Sequence, residues 1–293
     1  MNRRPLVSAL VAASLLATLP AAHAAGLKLD AYNPGENAVF PVTSSIISGE
    51  HDAILVDAQF QRNDAEALVQ KLRASGKTLR TVYVSHCDPD YYFGLDVIQA
   101  AFPEARIVAT APTVEHIKAT MEGKLAYWGP ILKDKAPQKL VLPEVLAGDS
   151  LSLEGQRIEI RGLKSAAPDR SYLWIPSLKT VAGGVVVSSG IHVWVADTQT
   201  PESRQTWQST LAGIAALKPA RVVPGHYLGK EPAGIAAVRY TADYLKAFEA
   251  EAAKAGDAAA LSAAMKQRYP QAGEAASLEL SAKVIKGEMK WPQ

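Results

Sequence analysis

Between residues 38 and 123 apolar positions arrive in short β-branched runs, separated by stretches with a helical stripe. AVFPVTSSIIS (38–48) and AILVD (53–57) are predicted strands, parted by a turn at Gly49-Glu50-His51-Asp52. Ala65, Leu68, Val69 and Leu72 share one face of a predicted helix over 63–75. TVYVSH (81–86) is the next strand, 94–101 a short helix, RIVAT (106–110) a strand and 112–123 a helix. Strand and helix alternate here as they do in layered α/β architectures.

The middle of the chain loses its helical stripes. Residues 138–142, 151–161, 171–175, 179–188 and 192–196 are predicted as successive short strands, punctuated by Pro176, Gly183-Gly184 and Gly190. A helix over 203–216 follows Pro201-Glu202 and carries Trp207, Leu211 and Ile214 on one stripe. ARVV (220–223) then leads into Pro224-Gly225-His226-Tyr227. Beyond about residue 232 the chain turns Ala-, Glu- and Lys-rich, which predicts helices over 233–256 and 257–268 and a third segment over 277–287. The pattern divides into a main domain over 25–230 and a helical C-terminal extension over 231–293 packed on the same domain.

Residues 1–24 break the pattern. Arg3 and Arg4 precede an Ala/Leu-rich run that ends at Ala22-His23-Ala24, the arrangement of a secretory signal peptide cut after Ala24. Removing 24 of the 293 residues would leave 269, with 29 basic and 29 acidic side chains. The expected destination is the periplasm or the medium, with no stable membrane anchor after cleavage. A balanced charge argues against a general nucleic-acid surface. One cysteine, Cys87, excludes an intramolecular disulfide and a Cys-rich zinc module. The expected partner is a small molecule; oligomeric state is not legible.

Chemistry concentrates in VYVSHCDPDYYFG (82–94), where a strand runs into a loop bearing His86, Asp88 and Asp90. Alternate residues leaving a strand point the same way, so the three can converge, and one imidazole with two carboxylates suits a divalent metal. A capping and turn network accounts for the same residues. By the same alternation Cys87 should face away, as a buried inert thiol.

These residues resemble the metallo-β-lactamase fold superfamily, whose signature here is His-x-His-x-Asp-His followed by Gly. His86 takes the place of the first His, Asp88 that of the second, Asp90 that of the Asp, Tyr91 that of the last His and Gly94 that of the Gly. GLKSAAPDRSYLWIPSLKTVAGG (162–184) is similar to the segment that carries a ligating His and a bridging Asp, here Lys164 and Gly184. Val222-Val223-Pro224-Gly225-His226-Tyr227 resembles the final strand and Gly-His, and the segment 188–207 places His192 near the cleft.

The resemblance implies an α+β fold, an αβ/βα four-layer sandwich of two facing mixed sheets, with the helical extension added. It implies a hydrolase of an ester, lactone, amide or phosphoester that works through a metal-activated water. The metal candidates are His86, Asp88, Asp90 and His226, around one divalent metal, zinc before manganese or iron. The catalytic candidates are Asp90, Tyr91, Lys164 and His192. The departures leave alternatives open: a single metal; no metal, with the Lys164 ammonium balancing Asp88 and Asp90; or a cleft that binds without chemistry. Trp128 and Trp194 are candidate pocket walls or core residues, Asp197 an orienting or capping group. His51 and His116 have no assigned role.

Overall fold

The computed structural model describes residues 26–291, so the predicted signal peptide lies outside the described residues. Six strands form the first sheet in chain order: β1 (Lys28–Tyr32), β2 (Ser44–Ser48), β3 (Asp52–Val56), β4 (Thr78–Val84), β5 (Arg106–Ala109) and β6 (Glu144–Val145). β1 to β3 pair antiparallel, and β3 to β6 pair parallel. The crossovers are helical: α1 (Arg62–Ala74) joins β3 to β4, α2 (Pro89–Tyr92) and α3 (Leu95–Ala101) join β4 to β5, and α4 (Ala111–Leu132) leads from β5 toward β6. Parallel neighbours need such crossovers, because a hairpin cannot reverse the chain twice.

The second sheet is built from β7 (Ser150–Leu153), β8 (Gln156–Arg161), β9 (Tyr172–Ile175), β10 (Thr180–Ala182) and β12 (Arg221–Val222), in the order β12-β10-β9-β8-β7. β11 (Ser188–Ser189) and β13 (His226–Tyr227) make a separate parallel pair. Helices α5 (Pro201–Ala216), α6 (Ala236–Lys254), α7 (Ala258–Arg268) and α8 (Ala275–Ile285) complete the chain. α5 starts at a capping box between Thr200 and Ser203, with Pro201 in its first turn.

Strand alternation explains the layering. On β3, Ile54 and Val56 face the second sheet, while Ala53 and Leu55 face the helices. Between the sheets Ile47, Ile54, Val56 and Tyr83 meet Leu151, Ile158, Ile160, Leu173 and Ile175. Each such side chain contributes about 1.5–3 kcal/mol when fully withdrawn from water. Leu68, Leu72, Ile98 and Ile117 cover the outer face of the first sheet. Trp207, Leu211, Ile214, Tyr244, Phe248, Leu261 and Leu278 cover that of the second. The result is the expected α+β sandwich of two mixed sheets flanked by helices, with α6–α8 as its C-terminal helical extension.

Four local expectations are corrected. The N-terminal strand is Lys28–Tyr32, ahead of the run at 38–48, and only Ser44–Ser48 of that run is strand. Residues 138–142 and 192–196 are not strands, although Val193, Val195 and Ala196 are buried. An apolar run reports burial at most: 192–196 is largely buried without a strand partner, and in 138–142 only Val141 is buried, while Gln138, Lys139 and Leu142 are exposed. Helix α4 continues to Leu132, past the predicted end at 123, because Pro130 falls within its last turn and so interrupts little of the hydrogen-bond ladder. Among the described residues no helix is long and apolar enough to cross a membrane.

Candidate functional site

Strand β4 ends at Val84, and the loop after it is fixed by a clamp at its first residue. Asp57, at the end of β3, accepts from the Ser85 backbone N–H at 2.7 Å and from its hydroxyl at 2.6 Å. The Ser85 oxygen in turn accepts from the Gly184 N–H at 2.7 Å, which ties the first sheet to the turn after β10. Burial drives the Asp57 carboxyl up to about 7, against the opposing pull of its two bonds from Ser85. Gly94 closes the loop's far end: a Cβ there would stand 2.0 Å from the Ala58 carbonyl oxygen, so only glycine allows this approach.

Between those anchors the loop displays its polar groups in two sets. In the first, His86 is buried, with Nδ1 3.2 Å from the Asp169 carbonyl oxygen and Nε2 3.2 Å from Asp88 Oδ2. Nδ1–H donates to that carbonyl and Nε2–H to the carboxylate, so the ring carries both protons. Burial opposes charge on His86, but Cys87 and Asp88 outweigh it and raise its pKa well above the ordinary value. Asp88 is held well below the usual carboxylate range: burial opposes ionisation, and His86, Lys124 and Arg170 overcome it. Lys124, on α4, places its ammonium 3.2 Å from Asp88 Oδ1 and 2.9 Å from the Cys87 carbonyl oxygen.

In the second set Asp90 meets His226 across 2.7 Å, and the Tyr91 hydroxyl lies 3.2 Å from the other ring nitrogen of His226. Burial, with Asp90 and Asp57 nearby, keeps the Tyr91 hydroxyl protonated. Tyr91 therefore donates to Nδ1, and Nε2–H donates to Asp90, which satisfies the whole triad with one ring proton. β13 carries His226 into place, and Gly225 beside it allows the approach, since a Cβ there would lie 2.2 Å from the Gly184 carbonyl oxygen.

Cys87 is a correction. It is buried, but it lies with His86 and Asp88, its Sγ 3.9 Å from His86 Nε2. Alternation fails because residues 85–88 have already left the strand. Burial would raise the thiol, but His86 and a hydrogen bond with His116 bring it down to about 7. His116, left without a role by sequence, stands on α4 beside the site. The donor atoms of His86, Cys87 and Asp88 all lie within 4.8 Å of one another, a small cluster of a type that can coordinate a divalent metal. Asp90 and His226 stand outside that cluster.

Lys164 is exposed and does not line the cavity, whereas Lys124 supplies the ammonium that Asp88 faces. His192 does line it, buried, with Nδ1 3.1 Å from the Tyr244 hydroxyl; burial and Lys266 lower its pKa. The cavity itself measures about 730 Å³. His86, Cys87, Asp88, Lys124, Asp90 and His226 contribute to its lining, and Trp128, Tyr127, Trp194 and Trp291 add aromatic surface. Asp197 accepts from the indole N–H groups of Trp194 and Trp291, which draws the C-terminal segment onto the cavity. Sequence missed Lys124, yet a signal existed: His116, Thr120 and Lys124 are spaced by four, one face of a helix carried past 123.

The paired-metal centre implied by the resemblance does not fit these residues. Its bridging carboxylate falls on Gly184, where φ is +78° and a Cβ would stand 2.3 Å from the Ser171 carbonyl oxygen. Backbone has closed over the space a carboxylate would need. Tyr91, in place of a ligating His, offers a protonated phenol that is already donating to His226.

Solved structures share the architecture. A metallo-beta-lactamase from Pontibacter korlensis matches with a TM-score of 0.53 and 17% identity, over 75% of this chain and 95% of that one. The metallo-beta-lactamase FIM-1 from Pseudomonas aeruginosa, in its mono-zinc form, matches with a TM-score of 0.56 and 17% identity, over 75% and 91%. The metallo-beta-lactamase IND-7 gives 0.54 and 16%, over 75% and 94%. At these identities the likeness is one of fold. No curated protein matches the sequence. The sequence profile of the metallo-beta-lactamase superfamily matches residues 37–226, and the chain belongs to that superfamily as a divergent member with a partial metal-binding cluster.

Proposed function

We propose that this protein is a metal-free binding protein for a small organic molecule, on a hydrolase scaffold whose metal chemistry has lapsed. One observation carries the reading: both oxygens of Asp88 are engaged, Oδ2 by His86 and Oδ1 by the Lys124 ammonium, each at 3.2 Å. A carboxylate already neutralised by an ammonium is a poor ligand for a dication, because the second cation must be expelled. The pairing of Asp90 with His226 removes two more donors in the same way. What remains is a cavity of about 730 Å³, the size of a small-ligand site, lined by polar groups and aromatic rings together. In this reading residues 25–230 form the binding domain, 231–293 pack on it, and the chain is exported to the periplasm after cleavage at Ala24.

Elemental analysis after incubation with zinc, manganese and iron in turn is the test. The expected stoichiometry is well below one for each metal. A value near one per chain, lost in His86→Ala, would overturn the reading.

The second reading is a hydrolase with a single metal at His86, Cys87 and Asp88, favoured by the 4.8 Å clustering of their donor atoms. It requires Lys124 to leave Asp88. Metal-dependent turnover of an ester, lactone or phosphodiester would establish it.

A further inference from the structure

We infer that the cavity selects a carboxylate carried on a flat aromatic body, and that Arg170 is the residue that recognises it. The inference rests on the binding reading above and names the chemistry of what is bound. Arg170 is only 6% exposed and lines the cavity. Its guanidinium carbon lies over the Trp207 ring, 4.6 Å from the centroid, a cation–π contact that holds the group against the indole. Its Nη1 is buried with no hydrogen-bond partner among the described residues. A buried, charged donor left unpaired is costly, so a group that arrives to accept from this guanidinium gains more than it would at the surface.

The surroundings decide which anion fits. Asp88 and Asp197 both feel the guanidinium's charge, but their oxygens are engaged elsewhere, Asp88 with His86 and Lys124, Asp197 with two indoles. Their negative charge opposes a dianion such as a phosphate monoester. A monoanion with two coplanar oxygens matches both the charge and the guanidinium's fork. The walls decide the rest. Trp194 and Trp291 pack edge to face at 5.3 Å, and Tyr127 stands 6.0 Å from Trp291. Flat apolar surface of this kind is best covered by an aromatic ring.

The test is calorimetric titration with three probes on one ring system: 2-naphthoate, its neutral isostere 2-naphthamide, and 2-naphthyl phosphate. The expected order is naphthoate at least tenfold tighter than either of the others. Arg170→Gln should abolish the preference for naphthoate over naphthamide, while Arg170→Lys should retain only part of it. Equal affinity of wild-type protein for naphthoate and naphthamide would overturn the inference, as would failure of all three to bind. Neither comparison needs a folded variant, since both are made on the wild type. Zinc at one per chain would sink the metal-free reading independently and would leave the naphthoate preference to be read on its own.

Discussion

Lys124 reaches from α4 to Asp88 and holds it at 3.2 Å, in the role that sequence position had offered to Lys164. The contact sets a cation against the carboxylate that stands where the superfamily pattern has its second histidine. Removing it should therefore restore some metal affinity. Two unit charges about 4 Å apart interact by roughly 4 kcal/mol at an intermediate effective dielectric. Relaxation and solvent recover most of that. Lys124→Met is expected to bind zinc at least tenfold more tightly than wild type, about 1.4 kcal/mol, in a competition titration against a chromogenic chelator. An unchanged zinc affinity would mean that the ammonium is not what keeps a metal out.

Gly184 makes a complementary prediction. Restoring the superfamily carboxylate by Gly184→Asp places a Cβ against the Ser171 carbonyl oxygen at a φ of +78°. Left-handed strain and overpacking each cost about 1–3 kcal/mol. The variant should unfold at clearly lower urea concentration than wild type and should gain no metal. Wild-type stability with one bound zinc would show that the backbone there moves freely, contrary to the packing described.

The thiol of Cys87 should titrate early. With His86 and His116 holding it near 7 instead of its ordinary 9, the thiolate is about half the population at neutral pH and dominates above it. Because the cavity reaches Cys87, a small neutral reagent has a path to it. The alkylation rate with iodoacetamide, followed by mass spectrometry, is expected to rise with a midpoint near pH 7. In His116→Gln the midpoint should move upward. A midpoint near 9 in wild type would contradict the arrangement of the two imidazoles.

The fold was legible because its strands are short and strictly patterned. Ile54 and Val56 against Ala53 and Leu55 announce a strand buried on both faces, and Trp207, Leu211 and Ile214 announce a helix with one apolar stripe. The candidate loop was legible for the same local reason, since His86, Asp88 and Asp90 are adjacent in the chain. What escaped was long-range. Lys124 is 36 residues from Asp88, and Trp291 is 94 from Asp197. No local periodicity reports such pairings. Cys87 was misplaced by extending a strand's alternation into a loop that Asp57 and Ser85 had already turned. Arg170 follows a loop of mixed polar residues, where nothing local separates a buried guanidinium from a solvated one.

Glu154 ties the two sheets together at the end remote from the cavity, and its contribution should depend on pH. It sits in the turn between β7 and β8 and accepts backbone N–H bonds from Glu50 at 2.7 Å and His51 at 2.7 Å, in the turn between β2 and β3, and from Asp52 at 2.8 Å, the first residue of β3. Those three bonds lower its pKa from 4.5 to about 2. A depressed carboxylate pKa means that the unfolded chain takes up the proton first as pH falls. The stabilisation is thus complete above about 4.5 and is lost between there and 2. Glu154→Gln keeps the shape of the side chain but weakens its acceptor, so it should lower the melting temperature at pH 7. The difference from wild type should shrink steadily as the pH is taken from 5 toward 2, because protonation gives wild type the same neutral acceptor. A gap between the two melting curves that stays constant over that range would show that packing in the turn, not the carboxylate's charge, holds the two hairpins together.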